Sequence, residues 1–499
     1  MGRFSFADHG IRVRSTRRSQ TLLDYLGHAG GQVLAEAHLL LAVAVTLHVL
    51  LRKRDIGGSI GWIGIAWLAP VLGSVLYLVF GINRVTRRAH RLRARRPWYG
   101  SDGGPQTQTE RADHLAPLDR TARRLTRRPA EGGNRVTMLR NGDEAYPAMV
   151  AAIGQARTSI ALSSYIFRAD PAGMTIIDAL AAAQARGVAV RVLIDGIGSG
   201  YFFAGAYRRL RRAGVPAARF LHSHLPWRMP FINLRTHKKI LCIDGRLGFT
   251  GGLNIGQENL VAGASPTAHE PDDLVHDMHF RVEGPVVAQL TDAFAEDWVF
   301  TTGEALTGNA WFPAPEPVGA LIARVVTSGP DQDLEKIEYL MLQAIGCAQQ
   351  SIRVMTPYFL PDDRMLTALG LAAMRGVRVD VIVPQKSDHR VVDWAFRAQI
   401  GPLAATGAKI WRSPPPFEHS KLMTVDGLWS LIGSSNWDMR SFRLNFELNM
   451  EIYDPDLAAR LDQFMIRAQR RRLSARRLIK RGLPWRLRDA AARLMLPYL

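Results

Sequence analysis

Cysteine is almost missing from this chain. Cys242 and Cys347 are the only two in 499 residues. Neither has a CxxC neighbour, which argues against a thiolate metal site and leaves a cytosolic catalytic body with two free thiols. Cys242 lies in an apolar run that reads as a buried strand. Acid is also in short supply: 44 Asp+Glu stand against 64 Lys+Arg, a formal charge of +20. That balance favours an anionic partner, whether nucleic acid, an acidic membrane surface or a phosphorylated substrate. The basic residues are clustered, so a merely soluble basic surface does not account for them.

A third absence is local. The run from Ile56 to Asn83 contains no charge. It exceeds the ~20 apolar residues needed to cross a hydrocarbon core. Trp62 and Trp67 near one end and Tyr77 near the other fit interfacial aromatics. Pro70 would break a soluble helix but is tolerated in a membrane span. Upstream, Val33–Leu51 is a second apolar stretch, interrupted by Glu36, His38 and His48. Glu36 and His48 fall near its ends, where they can reach the interface. With the short link RKRDIGGS the pair reads as a transmembrane hairpin over residues 33–83, behind a basic N-terminal segment, 1–32. A polar segment precedes it and a second span follows, so it is not a cleavable signal peptide. Seven arginines lie between Arg84 and Arg96 and five precede the first span. They assign both ends to the cytoplasm, against the pull of the basic link. The expected location is the bacterial inner membrane, multi-pass, with a cytoplasmic catalytic body.

Residues 84–133 read as a basic linker, including the Gly- and Pro-bearing PWYGSDGGPQTQTERADH. Beyond it, β-branched runs alternate with helical patterns: SIALSSYIF, AGMTIIDALAAAQARG, AVRVLIDGIG. The alternation predicts an α/β body with a largely parallel sheet. The order then recurs. SIRVMTPYF answers SIALSSYIF, and AAMRGVRVDVIVP answers AAQARGVAVRVLID, at offsets of 192 and 189 residues. This period is too long for a solenoid and predicts two homologous lobes, 134–310 and 311–472, joined at the Pro-rich WFPAPEPVGA.

The best-matched stretches are HKKILCIDGRLGFTGGLN from His237 and HSKLMTVDGLWSLIGSSN from His419. Each has Lys two residues after the His, Asp at plus seven, Gly at plus fourteen and Asn at plus seventeen. Asp244-Gly245 and Asp426-Gly427 read as hairpin turns. Residues at i and i+2 of a strand share a face, so His237 lies with Lys239 and His419 with Lys421. The returning strand brings Asn254, or Ser434 and Asn436, beside them, and its glycines permit close approach to a ligand. Lys and Asn suit the non-bridging oxygens of a phosphate. A His can attack phosphorus or move a proton, so two such sets supply a nucleophile and a general acid without a metal or other cofactor. Asp277 and Glu447 follow the motifs in predicted strands, each placed to orient its own lobe's imidazole.

These motifs resemble the phospholipase D superfamily, and the wider pattern resembles bacterial cardiolipin synthases. It includes LAPVLGSVLYLVFGIN, YIFRAD, VEGPVVAQLTDAFAEDW, TPYFLPDD and IGSSNWDMRSFRLNFELN. The chain departs from that family at LVHDMH, where an aromatic-Arg-Asp-x-His segment is usual. The resemblance implies a two-lobed α/β/α body with one shared active site and a ping-pong reaction through a phosphohistidine. His237 and His419 would supply nucleophile and acid. Lys239, Lys421, Asn254 and Asn436 would surround the phosphate, with Asp244 and Asp426 less direct. The implied function is transfer of a phosphatidyl group between two phosphatidylglycerols, with an anionic phospholipid and a membrane as partners. Alternatives are a phospholipase D-type hydrolase, a transferase with another alcohol, a nuclease or an idle scaffold. The hairpin argues against nucleic acid as substrate, and the intact motifs argue against a scaffold. The tail, 473–499, is basic and amphipathic, and reads either as an interfacial membrane helix or as a helix packed on the second lobe.

Overall fold

In the computed structural model the described residues are 16–52, 56–69, 71–81, 112–222, 234–262, 274–330, 333–474 and 481–494. The basic N-terminal stretch before residue 16, the arginines from Arg84 to Arg96 and most of the predicted linker lie outside them. The chain divides into two units, Met1–Arg84 and Val85–Leu499.

In the first unit a long helix, Thr16–Arg52, is followed by the apolar helix Ile56–Leu68. They pack through Val45, Val49, Ala66 and Tyr77. Trp67 donates to Thr46 Oγ1 at 3.0 Å between the two helices, and His48 Nδ1 of the first lies 2.6 Å from the hydroxyl of Tyr77, which follows the second. By length and composition, Ala35–Arg52 is long and apolar enough to cross a membrane. The second run differs from its expectation as one unbroken span. It breaks after Leu68 and resumes as Leu72–Leu76 and the wide turn Tyr77–Gly81. The break brackets Pro70, itself outside the described residues, and proline has no amide hydrogen for a helical bond. At 1.5 Å per residue, Ile56–Leu68 covers only about 20 Å of a hydrocarbon core ~30 Å thick.

The second unit is built on a single sheet that runs through both lobes. From its outer edge, the first lobe contributes strands Ala217–Phe220, Ala189–Asp195, Ser159–Ser164, Ile240–Ile243, Leu247–Gly251, Met278–Glu283 and Glu131–Arg140. The second repeats this order with Lys409–Ser413, Arg378–Pro384, Ser351–Met355, Leu422–Val425, Trp429–Gly433, Asn445–Tyr453 and Leu321–Ser328. The innermost strands join antiparallel, with Glu131 opposite Ala323 and Asn134 opposite Leu321. The sheet is therefore mixed, and the expectation of a largely parallel one is corrected. Among these long strands, parallel pairing occurs only between the three that lie outermost in each lobe's series, where helices make the crossovers. Each Asp-Gly turn folds its motif into a hairpin, and that makes the inner half antiparallel.

Helix starts follow sequence chemistry. Asp170, Asp362 and Asp454 each accept a hydrogen bond from the amide three residues on, satisfying a free helix-end donor. One apolar layer crosses the junction: Phe294 and Trp298 from the first lobe join Leu448, Met450 and Leu461 from the second. The linker boundary also moves. Leu115, Leu118 and Ala122 sit in the core of the second lobe. Asp119 pairs there with the fully buried Arg324, which also contacts Glu451 at 3.2 Å. A buried cation so held needs both carboxylates. Residues 113–126 are thus part of the catalytic body, although they precede the first lobe in sequence.

Candidate active site

Two short strands position the histidines. Arg235–Thr236 runs parallel to the start of Asn445–Tyr453, and the His237 amide donates to Phe446 O at 2.8 Å. Phe417–Glu418 runs parallel to Val275–His276, and the His419 amide donates to His276 O at 2.7 Å. Each motif therefore leans on the segment carrying the other lobe's acid. Nδ1 of His237 bonds Glu447 Oε2 at 3.0 Å, and Nδ1 of His419 bonds Asp277 Oδ2 at 2.7 Å. The expected pairing of each acid with its own lobe's imidazole is corrected: the partners are exchanged. A carboxylate at Nδ1 holds the proton there and leaves the Nε2 lone pair for chemistry.

The lysines lie under the rings. Lys239 Nζ donates to His237 O at 2.8 Å. Lys421 donates to His419 O and sits 2.8 Å from His419 Nδ1. Both are almost fully buried, at 2% and 4% exposure. Burial, then repulsion from Lys421, pulls Lys239 down to about 7. Burial lowers Lys421 to about 8, against the pull of Asp277 and Glu447. Burial also takes His237 down to about 4, opposed by Glu447, and lowers His419. Burial alone would raise Asp277 and Glu447. The neighbouring cations and imidazoles outweigh it, so both carboxylates titrate below their ordinary range. Near neutral pH His237 is the neutral imidazole of the pair, and the remaining positive charge is crowded among His419, Lys239 and Lys421, an arrangement relieved by an incoming anion.

The motif aspartates lie apart from this cluster. Asp244 accepts from the amides of Arg157, Thr158 and Ser159. Asp426 accepts from those of Gln349, Gln350 and Ser351, and from His114 Nε2 at 3.0 Å. Each ties its hairpin turn to the start of a neighbouring strand, with the aspartate itself in the left-handed region at φ 52 and 55.

Ser434 is a second correction. The sequence pattern predicts a phosphate ligand there, but its hydroxyl donates to Glu447 Oε2 at 2.5 Å and accepts from the Leu448 amide. It steadies the acid that steadies His237. The matching Gly252 has no room for a side chain, since a Cβ would lie 2.2 Å from Asp277 Oδ1. Nor do the motif glycines make room for a ligand. Gly251 and Gly433, at φ 146 and 154, bring the backbone against the adjacent strand, where a Cβ would meet Met278 O or Leu448 O. Asn254 turns its side-chain oxygen to the Ile166 amide at 3.3 Å. Asn436 is buried, and its side-chain oxygen has no hydrogen-bond partner among the described residues.

Sequence reasoning gives no role to Tyr165, whose ring meets His237 edge-on at 4.9 Å and lies 5.3 Å from Lys239 Nζ. It also passes over Asp195, which accepts from the Thr236 amide at 2.9 Å and so fixes the residue before His237. Both sit at the ends of recognisable strands, YIFRAD and AVRVLID. That position is the only signal they carry.

Paired His-Lys motifs in two pseudo-equivalent lobes, meeting across one mixed sheet, define the phospholipase D class. The profile of the family described as "Cardiolipin synthase, PLD-like domain" matches residues 149–298 and 341–468, and that of "Phospholipase_D-nuclease N-terminal" matches 40–81. A cardiolipin synthase of Geobacillus thermodenitrificans is 33% identical over 473 residues, covering 90% of this chain and 92% of that one. Cardiolipin synthase A of Pseudomonas fluorescens is 33% identical over 461 residues, covering 89% and 92%. Among solved structures, a phosphatidylserine synthase of Haemophilus influenzae shares the fold at a TM-score of 0.58 and 14% identity, covering 77% of this chain and all of that one. The chain belongs to the cardiolipin synthase family.

Proposed function

We propose that this enzyme transfers a phosphatidyl group from one phosphatidylglycerol to a hydroxyl of a second, releasing glycerol. The observation that carries the chemistry is the crossed pair of carboxylate-held imidazoles over two buried lysines. His237 Nε2 attacks phosphorus, and the P–O bond to the leaving glycerol breaks as His419, in its imidazolium form with Nδ1–H held by Asp277, gives that oxygen its Nε2 proton. The acceptor hydroxyl then loses its proton to His419, attacks phosphorus and displaces His237. Lys239 and Lys421, with Asn436, balance the charge on the non-bridging oxygens. The depression of His237 to about 4 supports its role as the nucleophile, because it stays unprotonated from weakly acidic pH upward. Incubating purified protein with phosphatidylglycerol in detergent, followed by lipid mass spectrometry, tests the reading. Cardiolipin and glycerol support it, whereas phosphatidic acid alone marks a hydrolase.

The pH dependence has a definite form. For the free enzyme, kcat/KM rises through an acid limb near 4 as His237 loses its proton. It falls again on the alkaline side, first as His419, lowered from its ordinary range, loses the proton it must donate, and then above about 7 as Lys239 loses its charge. A profile flat from pH 6 to 9 would remove the lysine from phosphate binding. Stability follows the same sign on the acid side. His237 takes a proton at its ordinary 6.5 when unfolded but only near 4 when folded, so stability is lost as pH falls through that window.

The membrane is the second partner in this reading, with residues 33–83 as anchor and the catalytic body on the cytoplasmic side. The tail adds a contact. Its helix, Leu483–Arg493, packs by Asp489 and Ala492, with Arg488 stacked on Trp394 at 4.3 Å. Leu483, Trp485, Leu487 and Leu494 remain exposed, while Met495 and Tyr498 lie outside the described residues. Packing and an interfacial role are therefore compatible, since opposite faces serve them. Leu483→Asp with Leu487→Asp should lower activity on anionic vesicles about tenfold while sparing detergent-dispersed substrate. Equal losses in both settings would assign the helix a purely structural role.

A further inference from the structure

A cleft of about 590 Å³ opens in the second lobe between the helix Arg390–Ala405, the segment Pro384–Asp388 before it and the proline strap Pro414–Phe417. Its acids are already engaged. Asp388 accepts from the Tyr358 hydroxyl through both oxygens, at 2.9 and 2.7 Å. Asp393 pairs with Arg397 and with Arg412, the latter at 2.8 Å. Arg390, on the wall, makes no ion pair with a described residue, and Lys386 lines the same cleft. With both carboxylates engaged, the Arg390 guanidinium on this wall can meet an incoming anion.

Its two ends differ. At one end Phe417 reaches the active site: its ring lies 6.0 Å from that of His419, two residues on, and 6.2 Å from Tyr358. At the other, Trp394 is covered by Arg488 of the tail helix, which also stacks on Trp485 at 4.8 Å. The cleft thus ends on one side at Phe417, two residues before the proposed proton-transferring histidine, and on the other at Trp394, the ring that the tail helix covers. A free phosphate would need only the cations. A molecule with an anionic head and acyl chains fits both ends.

We propose that this cleft is the acceptor subsite: it holds the phosphodiester of the second phosphatidylglycerol against Arg390 and Lys386, with the chains leaving along the tail helix. The site rests on the transferase reading above. The bound head delivers its terminal hydroxyl to His419. That imidazole takes the hydroxyl proton, and the oxygen bonds to phosphorus. The P–N bond then breaks with its electron pair returning to His237.

The test uses the full-length enzyme with phosphatidylglycerol, scoring cardiolipin against phosphatidic acid together with the first-turnover burst of glycerol. Arg390→Gln combined with Lys386→Gln should cut the cardiolipin-to-phosphatidic acid ratio by roughly tenfold or more, the effect of losing the charge-assisted contacts of both cations. The glycerol burst should be unchanged, and Arg390→Lys should restore most of the ratio. An unchanged ratio, or a burst that falls in step with it, overturns the acceptor site while leaving the transferase reading intact. A wild type that yields only phosphatidic acid overturns both. Soluble glycerophosphoglycerol should be a poor acceptor; if it matches the lipid, the exit path along the tail is wrong.

Discussion

Replacing either His237 or His419 by alanine is expected to abolish turnover, each alone by on the order of 10⁴-fold or more, in a protein that remains folded. The two losses should not add, because the histidines serve one reaction in sequence and removing either stops it. Folding survives because the acids keep other partners. Glu447 still accepts from Ser434 and Asn445, and Asp277 from the Met278 amide. Thermal melting separates a dead enzyme from an unfolded one. Rapid quenching of a turnover with labelled lipid should leave the label on His237. Label on His419 would reverse the assignment of nucleophile and acid, and full activity in either alanine variant would end the shared-site mechanism.

The exchanged acids give the second large effect. Glu447→Gln and Asp277→Asn should each lower kcat by about 10²–10⁴-fold, since an amide no longer holds the Nδ1 proton or stabilises the imidazolium. The two should fail differently. Glu447→Gln acts on His237, so the glycerol burst itself slows. Asp277→Asn acts on His419, so the burst slows least with a leaving group that needs little protonation. An activated aryl phosphodiester should therefore rescue Asp277→Asn and leave Glu447→Gln impaired. The opposite pattern would mean that each acid serves its own lobe in solution.

The duplication, the hairpin turns and the His-Lys faces are all legible in the sequence, because they depend on spacing within a few residues. The exchange of acids is not. It follows from Arg235–Thr236 pairing with Asn445–Phe446, a contact between distant strands that no local period records. Ser434 misleads for a related reason. A serine beside a phosphate motif looks like a ligand until the strand opposite is known to carry Glu447 at its side. Strand–helix alternation overstates the parallel sheet because it describes only the outer strands, while the inner ones are set by turns and by the junction at Glu131 and Ala323. Leu115, Leu118 and Ala122 are hidden by the polar composition around them.

The crossed wiring also bears on how such an enzyme is made. His237 waits for a partner 210 residues further along the chain, and Asp277 for one 142 residues further. A growing chain leaves the ribosome with its first histidine and first lysine already in place but with no carboxylate to align the ring. Contacts of such long sequence separation form late in folding. Phosphodiester cleavage is thereby withheld until the second lobe has been made. A truncated product ending between the lobes would lack Glu447 and the second histidine, and with them a complete site.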